Sequence, residues 1–264
     1  MFNNNFDPVA FTFLIFEIRW YSIAYILGIL LGWIYIKKFI IKDSAIKKLF
    51  DNYISYLIIG IILGGRLGYV LIYNLKYYLS DPIKIIYIWE GGMSFHGGLA
   101  GVIIVSYIFC KTHKLNTFTF LDFISLSAPI GIFFGRLANF LNSELYGRQT
   151  DILWSVKFLK IDNLDRHPSQ IYEAIFEGLI LFIILNFVLK SFIRIPGKIS
   201  CFFLIFYSLF RFIIEFTREP DLHIGLILGI LSIGQVISIF TLSAGFVLYY
   251  LLENNKNEEK IRYR

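Results

Sequence analysis

The stretch IGLILGILSIGQVISIFTLSAGFVLYYLL, Ile224–Leu252, carries no charged residue from end to end. An α-helix needs about 20 apolar residues to cross the hydrocarbon core of a bilayer, where its backbone groups must be satisfied within the segment. Working outward from this run, six others meet the same description. They lie near Trp20–Ile36, Tyr53–Tyr73, Ser94–Cys110, Phe118–Leu141, Ser169–Leu189 and Lys198–Phe216. Composition agrees: 57% of the 264 residues are hydrophobic, only 17% are charged, and the mean hydropathy is +0.66. These values exclude a soluble globular domain, a disordered chain and a disulfide scaffold. The predicted fold class is all-α, a polytopic membrane helix bundle with seven transmembrane helices. Residues 1–252 are expected to form a single integral membrane domain, with a small external segment at about 143–168. The polar tail 253–264 is expected to be disordered.

The net charge of +6 would suggest nucleic acid in a soluble protein, but here the positions of the basic residues report orientation. Loops after runs one, three and five, with the C-terminal tail, hold 14 of the 25 basic residues, from Lys37 to Arg264. The opposite side holds eight: Arg19, Lys76, Lys84, Arg148, Lys157, Lys160, Arg166 and Arg218. Arg66, Arg136 and Arg211 lie inside runs. The positive-inside rule therefore predicts an external N-terminus and a cytoplasmic C-terminus, with no nucleic-acid partner. Residues Met1 to Pro8 contain no basic group, so no cleaved signal peptide is expected. Cys110 and Cys201 sit in or beside apolar runs and read as small packed hydrophobes.

Charge at membrane depth is costly and usually faces a partner or a cavity. This chain places Arg66, His96, Asp122, Arg136, Glu173, Glu177, Arg211 and Glu215 there. With the topology above, Arg211 lies 14 residues beyond Gly197, ~21 Å up a core about 30 Å thick. Arg136 lies 18 residues beyond Phe118, ~27 Å up. His96, Gln170 and Glu173 open descending runs, and Tyr21 opens the first. The polar groups thus gather in the outer half of the bilayer. That suits a lipid headgroup site better than a channel, which needs polar lining along its length.

Structural alternatives stand beside each reading. Arg211 and Glu215 are spaced i,i+4 and could neutralise each other. Glu173 and Glu177 share that spacing but repel, so at least one needs a basic partner on another helix or a proton. Arg66, within Gly64-Gly65-Arg66-Leu67-Gly68, fits a structural ion pair as well as a ligand contact. Asp122 reads as a packing or hinge partner. The four histidines are scattered, which argues against a zinc site, and H-E-x-x-H, C-x-x-C and G-x-S-x-G are all absent. Ser94 and His96 are two apart and point to different helix faces, which disfavours a serine nucleophile. Arg136, Asn139 and Asn142 recur every three residues, followed by Glu144. A guanidinium, two carboxamides and a carboxylate on one stripe can grip a phosphate and a polyol together, although a polar helix cap has the same composition.

Several segments together make the chain similar to the bacterial prolipoprotein diacylglyceryl transferase family. They are Gly64-Gly65-Arg66-Leu67-Gly68-Tyr69, Gly92-Met93-Ser94-Phe95-His96-Gly97-Gly98, Arg136–Gly147, His167-Pro168-Ser169-Gln170-Ile171-Tyr172-Glu173 and Arg211-Phe212-Ile213-Ile214-Glu215-Phe216. The resemblance runs from Trp20-Tyr21 to Pro220-Asp221, with Ala138 standing where the family signature has Gly. It implies seven transmembrane helices and a multi-pass protein of the bacterial cytoplasmic (inner) membrane, with its active site toward the outer leaflet. It further implies transfer of a diacylglyceryl group from phosphatidylglycerol to the lipobox cysteine of a prolipoprotein, with glycerol phosphate released and no cofactor or metal. The partners would be phosphatidylglycerol, prolipoprotein lipobox peptides and membrane lipid. By the same resemblance Arg136 would grip the phosphate, Arg211 would stabilise the leaving group and His96 would act at the catalytic centre. Tyr21, Asn139, Asn142, Glu144, Gly147, Tyr207 and Glu215 would complete or support the site. A transporter is the rival from another class, but paired repeats and broken helices are not seen. An intramembrane protease is disfavoured by the missing nucleophile motif.

Overall fold

Predominantly apolar runs become long helices, and the polar stretches between them supply turns and short strands. The computed structural model describes residues 2–14, 16–72, 74–220, 226–227 and 230–262. Within these, the side chains of Phe16, Glu90, Phe95, His96, 226–227 and 255–262 are outside the described set. So are Tyr73, Asp221, His223 and Ile224, which fall at ends of predicted segments.

In chain order, strands β1 (Phe2–Asn4), β2 (Val9–Phe13) and β3 (Phe16–Arg19) lead into helix α1 (Trp20–Tyr35). Helices α2 (Ser44–Ile72), α3 (Leu75–Ser80), α4 (Phe95–Thr112) and α5 (Thr117–Leu141) follow. Next come β4 (Val156–Phe158) and β5 (Asp165–Arg166). The fifth apolar run starts as α6 (Ser169–Glu173) and continues through α7 (Leu181–Ile183), with π-helical turns at Ala174–Ile180 and Ile184–Val188. Helix α8 (Lys198–Ile214), strands β6 (Leu226–Ile227) and β7 (Leu231–Ser232), and helix α9 (Ile233–Arg262) complete the chain.

The protein is mostly helical, and six helical segments among the described residues are long and apolar enough to cross a membrane. They are Trp20–Ile40, Ser44–Ile72, Thr117–Leu141, Ser169–Val188, Lys198–Thr217 and Ile233–Asn254. The third predicted run also forms a helix, but its apolar part, Gly97–Thr112, is shorter. The all-α membrane bundle expected from the sequence fits, with short strands added where polar segments pair, β1 with β4 in parallel and β4 with β5 antiparallel. Two expectations need correction. The last long helix starts at Ile233 instead of Ile224, because Leu226–Ile227 pairs with Leu231–Ser232 and the Ser232 hydroxyl caps the helix by accepting from Gln235 N at 3.2 Å. The tail from Glu253 is not disordered throughout. It continues α9 to Arg262, and Glu253 pairs with buried Lys198.

The chain forms two compact units, one from Met1–Ile36 with Asp122–Arg264, the other from Lys37–Leu121. In the smaller unit α2 and α4 run antiparallel along a glycine seam. A Cβ on Gly64 would lie 2.8 Å from Gly101 Cα, and one on Gly68 would lie 2.6 Å from Gly97 Cα. Small residues at this spacing allow backbones to approach closely. Buried Arg66 reaches across to the Lys84–Gly92 segment. It donates to the carbonyls of Lys84, Ile85, Tyr87, Gly91 and Gly92, so among the described residues it acts as a backbone clamp.

In the larger unit, polar anchors mark two ends. At one end Asp122 caps α8 by accepting from Gly197 N at 2.7 Å and from Ser200 N at 2.8 Å, which makes it the packing partner expected. Nearby Lys198 meets Glu253, and Tyr35 donates to Asn186 at 2.9 Å. At the other end the N-terminal strand locks onto the segment after α5. Asn4 Nδ2 donates to Phe140 O at 2.7 Å, and Ser143 Oγ donates to Asn4 Oδ1 at 3.2 Å. The segment 142–168 thus packs as a small sheet on the end where α1 begins.

Candidate active site

Four elements of the larger unit converge at that same end. Arg136 projects from the last turns of α5, and Glu173 closes α6. Glu177 sits in the following π-helical turn, while Arg211 lies in the last turn of α8 and Glu215 is its C-cap. The carboxylates are the buried partners. Arg136 Nη1 lies 3.2 Å from Glu173 and its Nη2 lies 3.0 Å from Glu177. Arg211 pairs with Glu173, lies 3.7 Å from Glu177 and bonds Glu215 at 2.6 Å. A third guanidinium, Arg218, reaches Glu173 at 3.5 Å. Both alternatives weighed for the glutamates are therefore resolved by pairing: each has arginine partners on other helices, and Arg211–Glu215 also forms within α8.

Exposure decides which groups face outward. Glu173 and Glu177 are 0% exposed, whereas Arg136 and Arg211 retain 16% and 13%. The carboxylates form the back wall and the guanidiniums form the accessible face. Three cations and three anions cancel formally, yet an incoming group meets positive charge first. Fixed, partly desolvated guanidiniums are well suited to phosphate, because their forked N–H groups bind its oxygens in pairs.

Beside this wall Tyr21, in the first turn of α1, accepts from Asn139 Nδ2, and the same amide reaches Glu144 Oε2 at 3.1 Å. Asn142 Nδ2 also approaches Glu144, at 3.5 Å. The two carboxamides of the stripe read from the sequence thus meet at Glu144, while its Arg136 turns to Glu173 and Glu177. Tyr207 stacks on Phe203 and lies within electrostatic range of Glu177, Arg136 and Arg211. The Ser232 hydroxyl donates to Glu215 Oε1 at 2.9 Å, and a Cβ on Gly234 would come within 2.6 Å of that carboxylate. The start of α9 therefore closes over Glu215.

Gly147 lies at the edge of the site, bridged to Arg218. Its N–H donates to His167 O at 3.0 Å, and a Cβ there would lie 2.8 Å from Thr217 O. Backbone crowding alone requires glycine at this position. Arg166 ties segment 142–168 together, bonding Gly147 O at 3.0 Å, Asp162 and Glu219. Its guanidinium holds the Asp162 carboxyl below the usual range, while burial lowers His167. His96 lies in the first turn of α4, in the smaller unit, and its side chain is outside the described residues. Ser94 caps that helix, accepting from Gly97 N at 3.2 Å.

Tyr21, Arg136, Asn139, Asn142, Glu144, Tyr207, Arg211 and Glu215 are therefore gathered at one end of the larger unit. Glu173, Glu177 and Arg218 were not among the predicted site residues. The two glutamates did carry a signal, since a buried like-charged pair requires cationic partners. Arg218 had only been counted as an external basic residue. Among the described residues no cluster of metal-ligating side chains is found.

Comparison with known proteins gives this arrangement a context. A family profile described as "Prolipoprotein diacylglyceryl transferase" matches residues 8–251. A protein of Rickettsia bellii named phosphatidylglycerol–prolipoprotein diacylglyceryl transferase is 51% identical over 248 residues, covering 92% of this chain and 94% of its own. The protein of that name from Rickettsia typhi is 50% identical over 238 residues, covering 89% and 92%. That from Rickettsia felis is 48% identical, covering 92% and 96%. With matches of this extent and a guanidinium-faced site built from the matching segments, the chain belongs to the prolipoprotein diacylglyceryl transferase family.

Proposed function

We propose that this protein transfers the diacylglyceryl group of phosphatidylglycerol to the lipobox cysteine of prolipoproteins in a bacterial inner membrane. The observation that carries the reading is the accessible face formed by Arg136 and Arg211, backed by wholly buried Glu173 and Glu177. The substrate's own sulfur is the nucleophile. Its thiol has an ordinary pKa of about 8.5 and reacts as thiolate. Sulfur attacks the diacylglycerol carbon that carries the phosphate ester, forming a C–S bond as the C–O bond breaks. The electron pair leaves on the phosphate oxygen, glycerol phosphate departs, and the thiol proton passes to a base.

The chain's arginines neutralise the charge growing on that oxygen. In a low-dielectric site one such preorganised donor is worth about 10²–10³-fold in rate. Asn139, Asn142, Tyr21 and Glu144 suit the hydroxyl groups of the headgroup glycerol, while Tyr207, Gly147 and Glu215 hold the wall in place. His96 is assigned as the base on the family resemblance alone. The clustered end of the larger unit faces the outer leaflet, with the N-terminus and segment 142–168 outside and the C-terminus cytoplasmic. This orientation rests on the distribution of Lys and Arg. Residues 1–252 act as one integral membrane domain. Both lipid and peptide enter laterally from the bilayer, since both are membrane-embedded.

The test is to incubate the purified protein with phosphatidylglycerol and a lipobox peptide in micelles. A diacylglyceryl mass increase on the cysteine, with one glycerol phosphate released per event, is expected. Intact phospholipid beside an authentic acceptor would refute the proposal.

A further inference from the structure

Three arginines face three carboxylates in the site, but the pairing is uneven. Arg136 has Glu173 and Glu177, and Arg211 has Glu173, Glu177 and Glu215. Among the described residues, the Arg218 side chain has one polar contact, at 3.5 Å, to Glu173 Oε1. That oxygen already accepts from Arg211. A guanidinium carries five N–H donors, so most of those on Arg218 are unused. Its side chain is nevertheless only 11% exposed. Burial and the adjacent Arg211 cation hold it below its ordinary pKa. A buried cation with this little compensation is costly unless an anion completes it.

The local fold does not need the side chain. The backbone at this position ties the site rim together, with Arg148 Nε donating to Arg218 O at 3.0 Å and Arg218 N donating to Glu215 O at 3.2 Å. Glu219 N and Tyr146 O, at 3.2 Å, continue the same join. Arg218 lies one residue beyond the end of the Lys198–Thr217 span.

We propose that Arg218 is a third anion-binding guanidinium of the site, which takes the phosphate of the phosphatidylglycerol headgroup and of the departing glycerol phosphate through donors that no carboxylate among the described residues occupies. The assignment rests on the proposed transferase activity and adds a residue to its substrate-binding set.

The experiment uses the full chain in detergent micelles, with Arg218→Gln and Arg218→Lys beside the wild type. Three quantities are measured: KM for phosphatidylglycerol, KM for a lipobox peptide, and inhibition by added glycerol phosphate. Hydrogen bonds to a charged group are worth about 10- to 100-fold in affinity. Arg218→Gln is therefore expected to raise the phospholipid KM and the glycerol phosphate inhibition constant by about 10-fold or more. The peptide KM should stay at the wild-type value, and Arg218→Lys should fall between. Equal shifts in both KM values would assign Arg218 a merely structural role, and unchanged inhibition by glycerol phosphate would remove it from the anion site. Should Arg218→Gln not fold, Arg218→Lys decides alone: a wild-type inhibition constant overturns the proposal. A thermal shift by glycerol phosphate is read in parallel without turnover. If the wild type consumes no phosphatidylglycerol, the transferase reading fails. A glycerol phosphate shift that Arg218→Gln loses would still support the anion site, and one that it keeps would overturn it.

Discussion

Arg66 and Arg136 are both guanidiniums on apolar helices, the first buried and the second partly exposed, and their surroundings differ in kind. Arg66 donates to backbone carbonyls of a single segment, Lys84–Gly92, and stacks over Tyr78 at 5.1 Å. Neutral dipoles that saturate its donors leave nothing to offer a ligand. Arg136 meets carboxylates from behind and stays accessible in front. The difference separates an arginine that folds a loop from one that can receive a phosphate. A buried arginine in a membrane helix is thus not evidence of a site until its partners are known.

The largest expected effect attacks the carboxylate wall. Glu173→Gln keeps the shape but leaves three guanidiniums against two carboxylates. Breaking a buried ion network this way costs about 3–5 kcal/mol, so thermal unfolding in micelles should move sharply downward. An unchanged midpoint would mean that Glu173 is not the hub drawn here. Next in size, Arg66→Lys cannot span the carbonyls that a fork reaches, and about 2–4 kcal/mol of stability should go with the lost bonds. Turnover per folded molecule should fall far less, and an equal loss of stability and turnover would break the contrast between the two arginines.

Gly68→Ala tests the seam that carries Arg66, since a methyl there would lie 2.6 Å from Gly97 Cα. Overpacking of this kind costs about 1–3 kcal/mol, readable in the same unfolding assay. The smallest effect concerns segment 142–168. Asp162, held below the usual carboxylate range by Arg166, contributes stability that is complete above the ordinary aspartate pKa. That contribution is lost as the pH falls through the lower value it has in the fold. The side chain is partly exposed and the pair is screened by solvent, so no more than about 1 kcal/mol is involved. Protease cleavage within 142–168 should rise on acidification, and Asp162→Asn should remove the pH dependence.

Much of this was legible in the sequence because membrane helices are written in composition. Apolar runs placed the long helices to within a few residues, apart from the starts of α2 and α9: α2 begins at Ser44, nine residues before the expected Tyr53, because its first turns are polar, and ahead of α9 the paired strands at Leu226–Ile227 and Leu231–Ser232 looked as apolar as the helix. The stripe Arg136, Asn139, Asn142 was visible because three-residue spacing fixes a helix face. The need of Glu173 and Glu177 for cations followed from like-charge repulsion. Which arginine serves which glutamate was not legible, since that depends on how distant helices pack. The partners of Arg66 were invisible for another reason: they are carbonyls, which every residue has. Pairing of β1 with β4 joins positions more than 150 residues apart, with no local signal to announce it. Arg218 was hidden because its importance lies in contacts it lacks.

The central claim is that guanidiniums, more than a base, make the phosphorylated alcohol leave. The most direct measurement is kcat for thioether formation by Arg136→Gln, Arg211→Gln and His96→Gln, each confirmed as folded by gel filtration. The account predicts losses of about 10²–10³-fold for each arginine variant, larger than the loss for His96→Gln. Folded arginine variants that turn over at the wild-type rate would contradict it.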